Sequence, residues 1–322
     1  MHKAQVLFFL QTMALFQIFL KKMQKQYMTQ LQSLYMKKKT KTGIEHHYLK
    51  GKSLGMIFTK SSTRTRVSFE VGMYQLGGQA LFLSTNDIQI GRGETIYDTA
   101  HVLSGMLDGI MIRTYAHKDI EDLAKYGSIP VINGLSDDQH PTQMIADRLT
   151  RQENFGLDLS GRKLVFMGDA RNNVANSLMV VSAKLGINFV ACGPKENMPD
   201  AKLVKTCREI AKENDCTITL TEDVKKATKD ADVIYTDIWL SMGEDASLWE
   251  KRIKALKPYQ VNAQVMANAH ENAIFLHCLP SFHDLDTTIG MEVYEKYGLK
   301  EMEVADEVFR SKQSKVFDEA EN

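Results

Sequence analysis

Residues 53–84 read SLGMIFTKSSTRTRVSFEVGMYQLGGQALFLS, and this stretch sets the fold. SLGMIF (53–58) is an apolar run of strand length, polar SSTRTR follows, and a helical pattern then continues through Gln75. Gly77-Gly78 stops that helix before the next apolar run, ALFLS (80–84). Strand, helix, strand in this order is the unit of a parallel sheet. The same punctuation repeats outward. Helical spacing over Glu94–Leu107 precedes GIMIR (109–113) and IPVING (129–134), and a helix follows from about Pro141 to Asn154. The motif then restarts with KLVFMG (163–168), NFVACG (188–193), TITLT (217–221), VIYTD (233–237) and AIFLHC (273–278). The pattern predicts an α/β protein of two doubly wound parallel-sheet domains, with the active site in the cleft between them at the carboxyl ends of the strands. The expected divisions are an atypical helical segment over 1–42, a first domain over 43–150 and a second over 151–322.

Composition agrees and removes several classes of function. The chain has 322 residues, with 40 basic and 40 acidic side chains, so its formal net charge is zero. General binding to nucleic acid or to an anionic membrane needs excess positive charge, and neither partner is expected. Hydrophobic residues at 43% and charged residues at 25% are those of a soluble globular protein. The length fits two domains better than one core. Cys192, Cys207, Cys216 and Cys278 form no CxxC pair, which argues against a disulfide framework or structural zinc and for reduced thiols in a cytoplasm. No metal and no cofactor are expected.

Val6–Leu20 (VLFFLQTMALFQIFL) is apolar and flanked by Lys3, Lys21 and Lys22. No small-residue cleavage site follows it, and two glutamines interrupt it well short of a membrane span. The expectation is a helix packed on the body of the protein or loosely attached to it, with targeting the lesser alternative.

Ser61-Ser62-Thr63-Arg64-Thr65-Arg66 closes a strand and opens a helix. Helix N-termini present unpaired N–H groups, and hydroxyls and guanidiniums there match the oxygens of a phosphate. The plainer reading is an ordinary N-cap. Two arginines oppose the helix dipole at that end, however, at about 0.3–1 kcal/mol each unless an anion is present. No Gly-rich run precedes a Lys here, so it is not a P-loop.

The segment Phe58–Glu70 (FTKSSTRTRVSFE) resembles the carbamoyl-phosphate signature of the aspartate/ornithine carbamoyltransferases. Arg113 at a strand end, His140-Pro141-Thr142-Gln143 and His277-Cys278-Leu279-Pro280 recur in the order the family has them, so the resemblance covers about Gly43–Asn322. It implies that Ser62, Thr63, Arg64 and Thr65 hold the phosphate of carbamoyl phosphate. Arg113 would bridge phosphate and carbonyl, and His140 would donate to the carbonyl oxygen. Gln143 and the backbone carbonyls of Cys278 and Leu279 would take the amino group, with a cis bond at Leu279–Pro280. The family's phosphate is also reached by a loop of a neighbouring subunit. Gln89 occupies the matching position, which implies a homotrimer with shared sites. Taken singly, His140 reads as a helix cap or core histidine, and Gln89 as a polar loop residue.

The second domain should select the amine. Asp237-Ile238-Trp239-Leu240-Ser241-Met242-Gly243 looks like the DxxxSMG loop of the family's ornithine branch, and Gly168-Asp169-Ala170-Arg171-Asn172-Asn173 like its GDxxNN turn. The resemblance implies that Asn173, Ser241 and Met242 hold the α-amino and α-carboxylate groups of L-ornithine, that Asp237 binds the amino-acid end, and that Cys278 lies near the δ-amine. Arg113, His140, Asp237 and Cys278 would carry the chemistry, with either Asp237 or Cys278 as proton acceptor. Without family context, Asp237 is a cap after a buried strand and Cys278 a small buried hydrophobe.

The implied activity is carbamoyl transfer to the δ-amine of ornithine, giving citrulline and phosphate, or the reverse reaction in arginine breakdown. A putrescine carbamoyltransferase is the nearest competitor, but putrescine has no α-carboxylate for an SMG loop to hold. Residues 1–35 lack the family's leucine-rich, acidic first helix. After Asn322 the family continues with an Arg and a long helix, so the second domain is expected to lack its final helix. An inactive or non-catalytic relative is the alternative on that ground. A dinucleotide-binding dehydrogenase is disfavoured because no G-x-G-x-x-G follows a strand.

Overall fold

The computed structural model describes residues 43, 45–241 and 243–322. The expected N-terminal helix over 1–42, together with Ile44 and Met242, lies outside the described residues. In chain order the elements are β1 (Ser53–Phe58), α1 (Thr63–Gln75), β2 (Gln79–Ser84), α2 (Ile96–Ser104), β3 (Gly109–Arg113), α3 (His117–Tyr126), β4 (Val131–Leu135) and α4 (Pro141–Phe155). There follow β5 (Lys163–Met167), α5 (Asn173–Leu185), β6 (Asn188–Cys192), α6 (Ala201–Glu213), β7 (Ile218–Thr221), α7 (Val224–Thr228), β8 (Val233–Thr236), α8 (Trp249–Leu256), α9 (Ala263–Asn268) and β9 (Ile274–His277). Helices α10 (Thr288–Tyr297), α11 (Asp306–Phe309) and α12 (Val316–Glu321) complete the described chain. All nine apolar runs of the sequence are strands, within two residues at each end.

The chain divides into two compact units between Ile145 and Ala146. The division falls inside α4, slightly upstream of the boundary expected near Thr150. In the first unit the strand order is β2-β1-β3-β4, and every pair is parallel. Alternate residues of β1 serve opposite faces: Leu54, Met56 and Phe58 pack with Met73 and Met111, while Ile57 packs with Ile110, Ile112, Ile120 and Leu123. A central parallel strand is covered on both faces, which is why its sequence runs apolar without alternation. The run 129–134 becomes a strand only from Val131, because Pro130 has no N–H to pair. The register also skips a residue between Ile112 and Arg113, whose partners are Asn133 and Leu135. Such a bulge re-aims the end of a strand, here the end that carries Arg113.

The second unit has the order β7-β6-β5-β8-β9, again all parallel. Val165, Met167, Val190, Ile234 and Phe275 form one buried face with Val261, Val304 and Val308. Full burial of each such side chain contributes about 1.5–3 kcal/mol. The outer edge of β9 is covered by a later segment. Phe275 donates its N–H to the carbonyl of Gln313 at 2.9 Å, and Lys315 donates to the carbonyl of Phe275 at 2.9 Å.

The carboxyl ends of β5 and β6 approach very closely. Gly168 has φ +113°, and a Cβ added to Gly193 would lie 2.2 Å from the Gly168 carbonyl oxygen. Backbone cannot retreat as a flexible side chain can. Gly193→Ala should therefore cost roughly 2–4 kcal/mol, read as a lower urea midpoint at an unchanged m-value.

Candidate active site

In a doubly wound sheet, ligands bind beyond the carboxyl ends of the strands where the order reverses. In the first unit that place lies between β1 and β3, whose outer neighbours are β2 and β4. The polar segment after β1 and Arg113 at the end of β3 meet there. Ser62 is the N-cap of α1, in extended conformation, and its hydroxyl accepts from the Thr65 N–H at 3.3 Å. Thr63 and Arg64, on the first turn, are exposed, and Thr65 is half-buried. The first turn of α1 holds no acidic residue. Arg66 needs a correction. Its Nε donates to Glu70 at 2.9 Å and its guanidinium lies 3.7 Å over the Phe82 ring, so its charge is met locally. The unfavourable dipole argument rests on Arg64 alone.

The stronger electrostatic feature was not singled out from sequence. Arg113 and Lys60 are both buried, and the Arg113 carbonyl accepts from the N–H groups of Thr59 (2.9 Å) and Lys60 (3.4 Å). Lys60 reaches Asp137 at 3.2 Å and lies over the Tyr115 ring. His140 precedes α4, with Nδ1 3.3 Å from the Thr142 hydroxyl, whose oxygen also lies 3.2 Å from the Gly134 carbonyl. Burial, then the charges of Arg113 and Lys60, push the imidazole down to about 3. Two buried cations beside a ring that does not become a third give this strand end a positive character suited to an anion. Gln143 is half-buried on the first turn of α4, and Gln89 is exposed at the start of a short 3-10 turn (Gln89–Arg92).

In the second unit the order reverses between β5 and β8. Asp237 follows β8, and the 168–173 turn follows β5. Asn172 joins them: its Oδ1 caps α5 by accepting from Ala175 at 2.8 Å, and its Nδ2 donates to Asp237 at 2.9 Å. Asn173 is the half-buried first residue of α5. Asp237 also accepts from the Ile238 N–H at 2.8 Å and from the Cys278 thiol at 3.3 Å. Ser241 donates its N–H to Glu244 at 2.7 Å, and Arg252 holds both Glu244 (2.6 Å) and Asp169. Met242, expected to bind the amino acid, lies outside the described residues.

Cys278 and Leu279 follow β9, and the Leu279–Pro280 bond is cis, as the sequence led us to expect. Leu279 has φ +55° and donates its N–H to His277 Nδ1 at 2.9 Å. Buried Glu303 supports the next residues, accepting from the Ser281 hydroxyl and the Phe282 N–H, both at 2.7 Å. Burial raises the Asp237 carboxyl. Burial, then Asp237 and Glu319, raise the Cys278 thiol well above its ordinary value. Cys278 is therefore a neutral donor at neutral pH. Asp237, His277 and Cys278 place possible ligand atoms within 4.8 Å of one another. The protein's own hydrogen bonds already engage all three.

The two units thus differ in chemistry at their reversal points, with cations beside β1 and β3 in the first and a carboxyl–thiol pair beside β8 and β9 in the second. Two family models match the chain: the aspartate/ornithine carbamoyltransferase carbamoyl-P binding domain over residues 18–153, and the Asp/Orn binding domain of the same family over residues 160–322. The chain belongs to the aspartate/ornithine carbamoyltransferase family. Among carbamoyltransferases it is 56% identical over 282 residues to the catabolic ornithine carbamoyltransferase of Treponema denticola, covering 88% of this chain and 83% of that one. It is 50% identical over 291 residues to that of Staphylococcus aureus, covering 90% and 86%. Among solved carbamoyltransferase structures, ornithine carbamoyltransferase from Pyrococcus furiosus superposes with a TM-score of 0.82 at 46% identity, covering 92% and 88%.

A carbamoyltransferase histidine held at about 3 stays neutral through the physiological range. The unfolded ring titrates near 6.5, so the native state binds fewer protons than the unfolded one between those values. His140 therefore contributes stability that is complete above pH 6.5 and is lost as pH falls toward 3. Its ring resonances should not move between pH 8 and 5 in an NMR titration of the folded protein. A midpoint near 6 would contradict the buried cationic surroundings.

Proposed function

We propose that the chain transfers the carbamoyl group of carbamoyl phosphate to the δ-amine of L-ornithine, and runs the reverse phosphorolysis of citrulline. The observation that carries this reading is the division of charge between the two reversal points: buried cations in one unit, and a half-buried carboxyl–thiol pair beside an amino-acid-type turn in the other. The family membership and the ornithine-specific names of the relatives support the same substrate. The catabolic names of two of those relatives favour the direction of arginine breakdown for this chain.

In this reading Ser62, Thr63, Arg64 and Thr65 hold the phosphate with the unpaired N–H groups of α1. Arg113 spans phosphate and carbonyl, and neutral His140 donates to the carbonyl oxygen. Negative charge grows on that oxygen as the amine attacks, and then on the departing phosphate. Fixed donors therefore hold the transition state more tightly than the ground state. Gln143 and the carbonyls of Cys278 and Leu279 orient the carbamoyl amino group. Asn173, Ser241 and Met242 take the α-amino and α-carboxylate ends of ornithine.

The attacking amine must first be neutral. An alkylammonium near 10.4 is neutral only about once in 10³ at pH 7. Loss of its hydration in the site lowers that value. Of the two proposed proton acceptors, Asp237 is the better base, because a thiol raised as far as Cys278 carries almost no thiolate.

We place the enzyme in the cytoplasm, a reading supported by four free cysteines. We also read it as a homotrimer in which Gln89 reaches a neighbour's phosphate. In support, Val67, Val71 and Tyr74 form an exposed apolar row on α1. Light scattering should give three chains per particle.

Citrulline should form from carbamoyl phosphate and ornithine, with putrescine and aspartate far slower. Product from putrescine alone would defeat the ornithine reading. His140→Ala should lower kcat by about two to three decades, with a much smaller effect on the KM for ornithine.

A further inference from the structure

Behind the Cys278 turn lies a group of buried charges to which the reaction above gives no role. Glu319, on α12, is 1% exposed, and Asp147 and Arg151, on α4, are 0% and 2% exposed. Tyr235 on β8 is equally buried. The segment that pairs with Phe275 beside β9 turns directly into α12 and carries Glu319 to the carboxyl end of that strand. There Glu319 Oε2 accepts the backbone N–H of His277 at 3.0 Å, and Oε1 accepts the Tyr235 hydroxyl at 2.8 Å.

We propose that Glu319 is a positioning residue for carbamoyl transfer, fixing the His277 N–H and through it the aim of the Cys278 thiol and of the Cys278 and Leu279 carbonyls. The proposal rests on the functional reading above. His277 is the last residue of β9, so its N–H is the final anchor before the chain turns at Cys278. The Cys278 thiol lies just beyond, donating to Asp237. A fraction of an ångström lost at the His277 anchor is passed directly to that thiol and to the next two carbonyls.

The surrounding groups explain how a carboxyl can serve here. Burial raises Glu319 well above the carboxylate range, and the neighbouring Asp147 carboxyl raises it further. Two carboxyls in contact in a dry site hold one proton between them. Arg151, whose Nε donates to the Asp147 carbonyl at 3.0 Å, supplies one positive charge beside them. One proton and one guanidinium balance two carboxyls, so the cluster is neutral as a whole. Glu319 therefore acts as an acceptor of two hydrogen bonds, not as a base.

Glutamine keeps both contacts: its amide oxygen can accept from His277, and its amino group can donate to the Tyr235 oxygen. Leucine fills the same space and accepts nothing. Glu319→Gln should keep kcat within about threefold of the parent, while Glu319→Leu should lose about 30-fold in kcat with the KM for carbamoyl phosphate unchanged. Alkylation of Cys278 at pH 8 gives a readout independent of turnover, since the other three cysteines are buried. It should run several-fold faster in the Leu variant and at the parental rate in the Gln variant. Parental kcat and alkylation in Glu319→Leu would overturn the proposal. So would equal losses in both variants at equal melting temperatures, because a lost charge would then be the cause. If the parent made no citrulline, the functional reading would fall, and the alkylation series would still decide whether Glu319 holds the turn.

Discussion

The reversal of winding in a parallel sheet is the constraint from which the chemistry follows. Where two adjacent strands send their connections to opposite sides, nothing covers the space beyond their carboxyl ends. Backbone N–H groups and strand-end side chains converge there. The first sheet reverses between β1 and β3 and the second between β5 and β8. Arg113, the Ser62 cap, Asp237 and the Asn172 tether all stand at those two places. The apolar packing beneath them does no chemistry, but it fixes the strand ends to which these groups belong.

The two sets of groups use burial in opposite ways. Around β1 and β3, burial keeps a histidine neutral beside the charges of Arg113 and Lys60, the latter paired with Asp137. Around β8 and β9, burial keeps the Cys278 thiol protonated and raises the Asp237 carboxyl. In the proposed reaction the first arrangement would hold the anion and the second would receive the amine. Each is costly for folding, since burial strips charged groups of their water.

The strands and the strand-end motifs were legible because apolar runs and caps are local signals. Ser53–Phe58 and Gly109–Arg113 are strands at the bounds read from the sequence. The supporting polar groups were not legible. Lys60 meets Asp137, Asn172 meets Asp237, Arg252 meets Asp169 and Glu319 meets the His277 N–H across 77, 65, 83 and 42 residues. No period or spacing encodes such pairings. Lys60 stands inside the signature segment FTKSSTRTR, and a lysine directly after a buried strand was the one available hint. Arg66 shows the opposite failure. Its place at a helix start suggested an uncompensated guanidinium, while Glu70 one turn on pairs with it.

The segment laid along β9 has a consequence for the order of events in folding. In the second unit β5 must find β8 some 70 residues later, and the free edge of β9 is closed only by residues 313–315. Distant pairings are slow to form, and open strand edges recruit other chains while they wait. During synthesis, then, most of the second unit must leave the ribosome before its sheet can close.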